Sequence, residues 1–284
     1  MKQAVLLAVF IGIILVACSN GASTAVEQAA NIDATVSAAV AATRTASDVQ
    51  EKVAATLMSP PTPTTASTVN KILDNVLALS ENHVTTGVDY FKDGRYEDAI
   101  QEFDQAIQLD PDFAIAFMDR GLAYYHLGEN QTAISDYDKA IQLDPNYFKA
   151  YLHRGLAYSG LGQYQATIAD STMAIQLDPD NGLGYGARGH AYASLGQYQD
   201  AIANYTMAIQ LDPDNGLGYG ARGHAYYELG EYQSAVEDLD QAIQIDPNYA
   251  WAYAARAAAL WELGQSSLSD KDSEKACELD RSLC

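Results

Sequence analysis

The chain has few basic residues and few cysteines. Its 284 residues include 37 Asp and Glu but only 16 Lys and Arg, which gives a formal net charge of −21. So acidic a surface repels phosphate backbones and anionic lipid headgroups, which argues against a nucleic-acid partner and favours basic or neutral partners. Three cysteines, Cys18, Cys277 and Cys284, are too few for a disulfide scaffold.

The apolar run at the start of the chain is also short. Ala4 to Ala17 is too short for a membrane span, which needs about 20 residues, but it suits the core of a signal peptide. The run ends in Leu15-Val16-Ala17-Cys18. This ending resembles the lipobox of bacterial lipoproteins. The resemblance implies a signal peptide over 1–17 and a mature N-terminus at Cys18, acylated with chains such as palmitate. The alternative is an uncleaved membrane anchor with a chance cysteine.

The residues after Cys18 have the composition of a spacer. Residues 18–58 are rich in Ala and Thr, and their broken apolar pattern favours a solvated, partly helical stalk over a weak coiled coil. Residues 59–68, rich in Pro and Thr, predict an extended linker. Residues 69–79 predict a helix that covers the first repeat, because four apolar residues fall at helical spacing: Ile72, Leu73, Val76 and Leu77.

Most of the remaining chain repeats with a period of 34 residues. Aligning the Leu-Asp-Pro stretches divides it into the units 80–113, 114–147, 148–181, 182–215, 216–249 and 250–283. The eighth position is Gly in the first five units and Ala257 in the sixth, and the eleventh is Tyr in the first five. A glycine suited to a turn recurs in all six, as Gly94, Gly128, Gly162, Gly196, Gly230 and Gly264.

This pattern resembles the tetratricopeptide repeat. The resemblance implies an all-α fold, a right-handed α-solenoid of six helix-turn-helix units in which small residues let the helices approach closely. The second helix of the last unit carries a run of polar residues between Ser269 and Lys275, which suits the outer face of a terminal repeat.

Arginine holds the seventh position in five units, where the family usually has an apolar residue. Each arginine follows by ten residues an aspartate that ends the preceding unit, and we expect an inter-repeat ladder between the two sets. The arginines are Arg120, Arg154, Arg188, Arg222 and Arg256, and the aspartates are Asp110, Asp144, Asp178, Asp212 and Asp246. The alternative partner is the acidic residue at position 23 of the same unit. Two units weaken this alternative: the unit with Arg188 has the neutral Asn204 at position 23, and the first unit has Glu102 there but no arginine at position 7.

Motifs that suggest chemistry have simpler interpretations. Gly184 to Gly189 spells G-x-G-x-x-G, but it lies in a predicted helix and lacks the strand that a dinucleotide site needs. The motif has glycines besides the position-8 residue Gly189. They either open the inner face of the array for a ligand or are substitutions without a function. The histidines show no metal-ligand spacing, although His190 and His224 share the ninth position of neighbouring units. We therefore expect no enzyme activity, no cofactor and no metal.

The resemblance also implies where a partner binds. In this family, positions 2, 5, 9, 12 and 13 of the first helices line a concave groove. The groove residues predicted from these positions are Ile115, Met118, Leu122, Tyr125, His126, Lys149, Leu152, Leu156, His190, His224, Tyr227, Trp251 and Trp261, with Leu183, Gly186, Leu217 and Gly220 at further positions of the set. Apart from Lys149, the Lys, Arg and Asn residues that bind acidic C-terminal peptides in some relatives are missing. The expected partners are proteins or peptides with apolar or aromatic residues and neutral or basic flanks.

Three functions are consistent with the sequence. The first is a scaffold or adaptor at the bacterial cell envelope, anchored in the outer membrane or on the outer face of the cytoplasmic membrane. The second is an assembly factor resembling pilotins or outer-membrane assembly subunits, and the third is a receptor that binds a small ligand or metal in the groove. Cys277 is expected to be a small core residue, and a bridge to Cys284 is feasible only if the chain turns after Asp280.

Overall fold

Helices and tight turns alternate through residues 63–284, the part of the chain that the computed structural model describes, with side chains from residue 75 onward. The predicted signal peptide, Cys18, the stalk 18–58 and linker residues 59–62 lie outside the described residues. Residues 63–284 form twelve α-helices and one 3₁₀ helix. They are α1 Pro63–Lys92, α2 Tyr96–Leu109, α3 Ala114–His126, α4 Asn130–Leu143, α5 Phe148–Gly160, α6 Tyr164–Leu177, α7 Gly182–Ser194, α8 Tyr198–Leu211, α9 Gly216–Glu228, α10 Tyr232–Ile245, α11 Ala250–Glu262, α12 Ser266–Leu279 and the 3₁₀ helix Arg281–Leu283.

The chain divides into two compact units, the first ending at Gly128 and the second running from Glu129 to Cys284. In the first, α1 packs on α2 and α2 on α3. In the second, every helix from α4 to α12 packs on the next along the chain, and the first helices of successive repeats, α5, α7, α9 and α11, also contact one another in sequence. Consecutive helices that pack in this way, with no strand among the described residues, confirm the predicted all-α class and its helix-turn-helix repeats.

A glycine with positive φ makes the turn between the two helices of every repeat. The φ angles lie between 71° and 79°, a left-handed conformation that costs other residues free energy but not glycine. The six residues are the predicted turn glycines, Gly94, Gly128, Gly162, Gly196, Gly230 and Gly264. Their recurrence fixes the short return from the first helix to the second.

The glycines at position 8 allow the two helices of a repeat to approach closely. A Cβ atom added to Gly87 would lie 2.6 Å from Cε1 of Phe103, and one added to Gly189 would lie 2.9 Å from the ring of Tyr205. At Gly223 it would lie 3.0 Å from Cγ of Leu239. The second helix therefore fills the space that the missing side chain leaves, as the repeat pattern predicts.

The N-terminal helix differs from the prediction. α1 begins at Pro63 and continues without a break through the first helix of repeat one, so the extended linker predicted up to residue 68 is wrong from residue 63 on. The predicted covering helix 69–79 is likewise a part of α1 and not a separate element. Proline is tolerated at the first position of a helix because its missing N–H has no partner there in any case. Leu77 and Leu79 are exposed, so these two side chains do not cover the first repeat.

The position-7 arginines bridge neighbouring repeats, but not through the predicted aspartates. Nε and Nη2 of Arg154 each donate to a carboxylate oxygen of Asp170, at position 23 of the same repeat, both at 2.7 Å. Nη1 of Arg154 donates to Asp138, at position 25 of the preceding repeat. Arg256 pairs with Asp272 and Asp240 in the same way. The carboxylate at position 23 raises the pKa of both guanidinium groups, which stay charged.

In two repeats a neutral group replaces one or both of the acidic partners. Arg188 donates to Oδ1 of Asn204 at 2.7 Å and to the hydroxyl of Thr172 at 3.1 Å. Arg222 pairs with the carboxylate of Asp238 in its own repeat but with the hydroxyl of Thr206 in the preceding one. In the first compact unit, Arg120 donates to Asp104, which also stands at position 25. The rival position 23 was therefore correct, because an amide oxygen accepts where a carboxylate is missing.

The aspartates predicted as ladder partners serve the loops between repeats. They stand at the C-caps of the second helices, where the backbone N–H of each donates to the carbonyl four residues earlier. The carboxylates of Asp110, Asp144 and Asp246 accept the N–H two residues later, and Asp178 accepts from the side chain of Asn181. The predicted ladder with Asp110, Asp144, Asp178, Asp212 and Asp246 is therefore wrong, since this local turn geometry determines what the terminal aspartates contact.

Aromatic rings at position 4 cover the arginines. The guanidinium carbons lie 5.5 to 5.8 Å from the ring centroids in repeats two to six. The rings belong to Phe117, Tyr151, Tyr185, Tyr219 and Tyr253. The three-residue spacing between aromatic and arginine, which places both on one face of a helix, is the sequence signal for this contact.

A disulfide closes the C-terminal end. Cys277 in α12 bonds Cys284, with a Cα–Cα distance of 4.9 Å. The chain turns at Asp280, whose carboxylate accepts the N–H of Ser282 at the start of the 3₁₀ helix. This is the turn that the bridge required. Cys277 is half-buried instead of being a simple core residue, because its sulfur is directed to the returning chain end.

The arginine bridges allow a matched pair of substitutions. We expect Arg154→Met to lower the free energy of unfolding by about 3 kcal/mol, because it leaves the buried carboxylate of Asp170 without its partner. Arg188→Met should cost about 1 kcal/mol, because it leaves only neutral acceptors behind. Urea unfolding followed by circular dichroism measures both. Equal losses would contradict the assignment of partners.

Candidate partner-binding surface

The second compact unit exposes one side of its first helices to solvent. Positions 2, 9, 12 and 13 of α5, α7, α9 and α11 lie on this side, since three- and four-residue spacings share a helix face. We call the exposed and half-buried residues at these positions the first-helix surface. Their side chains include Lys149, Leu156, Leu183, His190, Leu217, His224, Tyr227, Glu228, Trp251, Trp261 and Glu262.

The first-helix surface exposes large apolar side chains. Leu183 is 63% exposed, Leu217 is 65% and Trp261 is 62% exposed, while Trp251 is 37% exposed. Both tryptophans that the sequence predicts to line the groove are therefore accessible to solvent. Several large apolar residues exposed along one side of an array are typical of an interaction surface.

Two predicted groove residues are buried instead. Leu152 packs against Ala174 of the second helix in its repeat and Ala187 of the next first helix, and Met118 at the same position of repeat two is buried as well. Position 5 faces the neighbouring helices when its side chain is large, so the prediction of Met118 and Leu152 as groove residues is wrong.

The predicted residues of repeat two lie in the first compact unit. Ile115 and His126 are exposed, while Leu122 and Tyr125 are half-buried. The His126 ring stacks on Tyr96 at 5.1 Å between centroids and meets Phe91 edge-on at 5.0 Å. His126 therefore takes part in an aromatic cluster of its own unit.

His190 and His224 have different neighbours. Nδ1 of His190 lies 3.3 Å from the hydroxyl of Ser159, whereas the His224 ring lies 5.7 Å from that of Trp251. Nε2 of His224 also lies 3.5 Å from a carboxylate oxygen of Glu228. Across the described residues, no group of three or more His, Cys, Asp or Glu side chains is arranged to hold a metal ion.

Acidic side chains concentrate toward the C-terminal end of the first-helix surface. The phenol of Tyr198 donates to Glu228 at 3.2 Å. Burial raises the pKa of the Tyr227 phenol, and the negative charges of Glu262 and Glu228 raise it further. Tyr227 and Glu262 also line an open cavity of about 400 Å³, together with Ala254, Trp261 and Leu283. A positively charged group near this end would be attracted by two carboxylates.

The extra glycines of repeats four and five have distinct surroundings. A Cβ on Gly184 would lie 2.9 Å from Ile175, and one on Gly218 would lie 3.1 Å from Ile209. At Gly220 it would lie 3.0 Å from Cε1 of Tyr249, but at Gly186 it would meet nothing within 4 Å. Three of these glycines therefore permit close packing, and Gly186 leaves an open notch. The G-x-G-x-x-G motif of Gly184 to Gly189 lies inside α7, and the same sequence at Gly218 to Gly223 lies inside α9.

Family models match the same residues that form the helix pairs. Models of the tetratricopeptide repeat match residues 84–148, 136–169, and the overlapping segments 189–227 and 223–264. The chain is a tetratricopeptide repeat protein. Proteins built from these repeats generally bind other proteins or peptides and are generally not enzymes.

Solved structures resemble this tetratricopeptide repeat protein over most of their own length. The MamA protein is 27% identical over 59% of this chain and 92% of that chain, with a TM-score of 0.54. YrrB, described as a tetratricopeptide repeat protein with an unusual peptide-binding site, is 21% identical over 64% and 94%, with a TM-score of 0.53. PilF of Pseudomonas aeruginosa is 16% identical over 74% and 94%, with a TM-score of 0.65. At 21% and 16% identity, the similarity to YrrB and PilF is evidence for the fold alone. No curated protein matches the chain by sequence.

None of the helices in the described part of this tetratricopeptide repeat protein has both the length and the apolar character of a membrane span.

Gly186 and Gly220, both at position 5 of their repeats, allow a second matched pair of substitutions. Gly186→Ala should raise the free energy of unfolding by about 1 kcal/mol, because alanine stabilises a helix interior and the added methyl meets no neighbour. Gly220→Ala should gain clearly less, because its methyl would press on the Tyr249 ring. Urea unfolding of both variants checks this difference. Equal gains would show that the site at Gly186 is as closely packed as the one at Gly220.

Proposed function

We propose that this protein is a lipid-anchored scaffold or adaptor of the bacterial cell envelope that binds partner proteins or peptides on its first-helix surface. The observation that carries the proposal is the exposure of Leu183, Leu217 and Trp261 along one side of the array. Membership of the tetratricopeptide repeat family supports binding as the general activity. The acidic end around Glu228 and Glu262 favours partners with basic residues beside their apolar ones.

The anchor is proposed from the sequence at Cys18. An apolar run of signal-peptide length before Leu15-Val16-Ala17-Cys18 supports cleavage and acylation there. Stable attachment needs more than one acyl chain, which a multiply acylated N-terminal cysteine provides. The Ala- and Thr-rich residues that follow separate the anchor from the repeats by several tens of residues. Partners would then be bound at the membrane surface but away from the headgroups.

Metabolic labelling with an alkyne analogue of palmitate tests the anchor. The wild-type protein, expressed in a bacterium with lipoprotein processing, should incorporate the label and sediment with the membrane fraction. Cys18→Ser should lose both properties, while Cys277→Ser, the matched control, should keep them. Label that persists in Cys18→Ser would refute the proposed acylation site.

Cross-linking in envelope fractions tests the binding surface. The double variant Tyr227→Ala/Trp261→Ala removes aromatic side chains from the first-helix surface, and it should capture its partners at least about tenfold less than wild type. The matched control Met173→Ala/Met207→Ala removes exposed apolar side chains from the second helices and should behave as wild type. Equal capture by all three proteins would exclude this surface as the partner site.

A further inference from the structure

Repeat six shows how an aromatic side chain occupies a glycine notch of the preceding repeat. Around Gly220, Cε1 of Tyr249 lies 3.0 Å and Cζ3 of Trp251 lies 3.5 Å from the position that a glycine Cβ would take. The Trp251 ring lies 5.7 Å from His224 and stacks on Tyr249 at 5.8 Å. The notch is thus closed by two rings, Tyr249 at the end of repeat five and Trp251 at the start of repeat six, with an imidazole beside them.

The equivalent notch one repeat earlier is open. Residues 178–192 are identical in sequence to residues 212–226, so Gly186 and His190 correspond to Gly220 and His224. After Gly186, however, the chain has Asn215 and Leu217 at the positions that Tyr249 and Trp251 take after Gly220. The Asn215 side chain accepts the N–H of Leu217 as a helix cap. Neither residue reaches Gly186, since no atom of either lies within 4 Å of the position that a Cβ on Gly186 would take.

The groups around Gly186 suit a flat apolar ring. The glycine presents bare helix backbone, and Leu217 on the following first helix is exposed. His190 is exposed too, and its Nδ1 contacts the hydroxyl of Ser159. An aromatic side chain placed here could lie against the backbone and bury the leucine, and it could approach the imidazole of His190 as the tilted Trp251 ring approaches His224.

We propose that the notch at Gly186 binds an aromatic side chain of a partner segment, in the place that Trp251 takes at Gly220. This inference rests on the proposed function, because it specifies what the first-helix surface recognises. The partner chemistry is an extended segment with one Trp, Tyr or Phe and with Lys or Arg close to it.

The negative charge of the repeats supports the proposal that the partner segment carries Lys or Arg beside its aromatic residue. Glu228 stands one helical turn after His224, accepts from Tyr198, and shares the surroundings of Tyr227 with Glu262. Residues 80–283 contain 32 acidic and 12 basic residues, so the repeats as a whole attract cations. A basic side chain beside the aromatic residue of the segment would be attracted by these carboxylates, and the binding should weaken as salt increases.

The substitution Leu217→Trp tests the notch directly, because it gives repeat five the ring that repeat six has. Leu183→Trp is the matched control: Leu183 is equally exposed, but the position-5 residue before it is the buried Leu152 and not a glycine. The probe is a displayed library of random dodecapeptides selected on the wild-type protein, followed by affinity measurements on synthetic copies of the enriched peptides. Thermal unfolding confirms that each variant is folded.

The enriched peptides should contain an aromatic residue with Lys or Arg within three positions. Leu217→Trp should weaken their binding by about tenfold or more, while Leu183→Trp should leave it within about twofold. Peptides without aromatic enrichment, or peptides that bind Leu217→Trp as well as wild type, would overturn the proposed notch. If these peptides still depend on Tyr227 and Trp261, the first-helix surface stands and only the notch is wrong. If selection on the wild-type protein enriches no peptide, the notch and the proposed function fail together.

Discussion

The close approach of the two helices at the small residue in position 8 is the constraint on which the repeats depend. At Gly87, Gly189 and Gly223 there is no room for even a methyl group without displacing an aromatic ring or a leucine. This contact buries one face of each first helix. A different face, with positions 2, 9 and 13, is left for solvent. The candidate binding surface is therefore a consequence of the same packing that forms the repeat.

The arginine bridges show how polar residues connect repeats without requiring one fixed partner. A guanidinium has several donors in a rigid plane and needs only oxygen acceptors at suitable positions. Asp170 and Asp272 provide carboxylates at position 23, whereas Asn204 provides an amide oxygen at the same site. At position 25, Thr172 and Thr206 replace aspartates. The partners can change while the position of the arginine and its covering ring remains the same.

Much of the fold could be predicted from the sequence, because the period, the turn glycines and the small residues at position 8 each have a local cause. The partners of the arginines could not be predicted, because the spacing along the chain does not determine the direction in which a carboxylate is oriented. Asp110 and Asp144 stand ten residues before an arginine, but their oxygens accept loop N–H groups two residues later. The start of α1 was missed for a related reason: Pro63 fits the first turn of a helix as well as an extended linker.

The candidate site was only partly predictable, because exposure in a repeat array depends on the neighbouring repeat. Leu152 is buried by the helices beside it, so membership of the family's groove positions did not make it a surface residue. Gly186 and Gly220 lie in identical stretches of sequence, yet one is open and the other is covered. Their difference comes from residues 29 and 31 positions further on, Asn215 and Leu217 after Gly186 but Tyr249 and Trp251 after Gly220. Leu217 and Trp251 belong to the next repeat in each case. The recognition surface of such a protein must therefore be read from pairs of repeats, since a single repeat supplies the base of a notch and its neighbour decides whether a partner can enter.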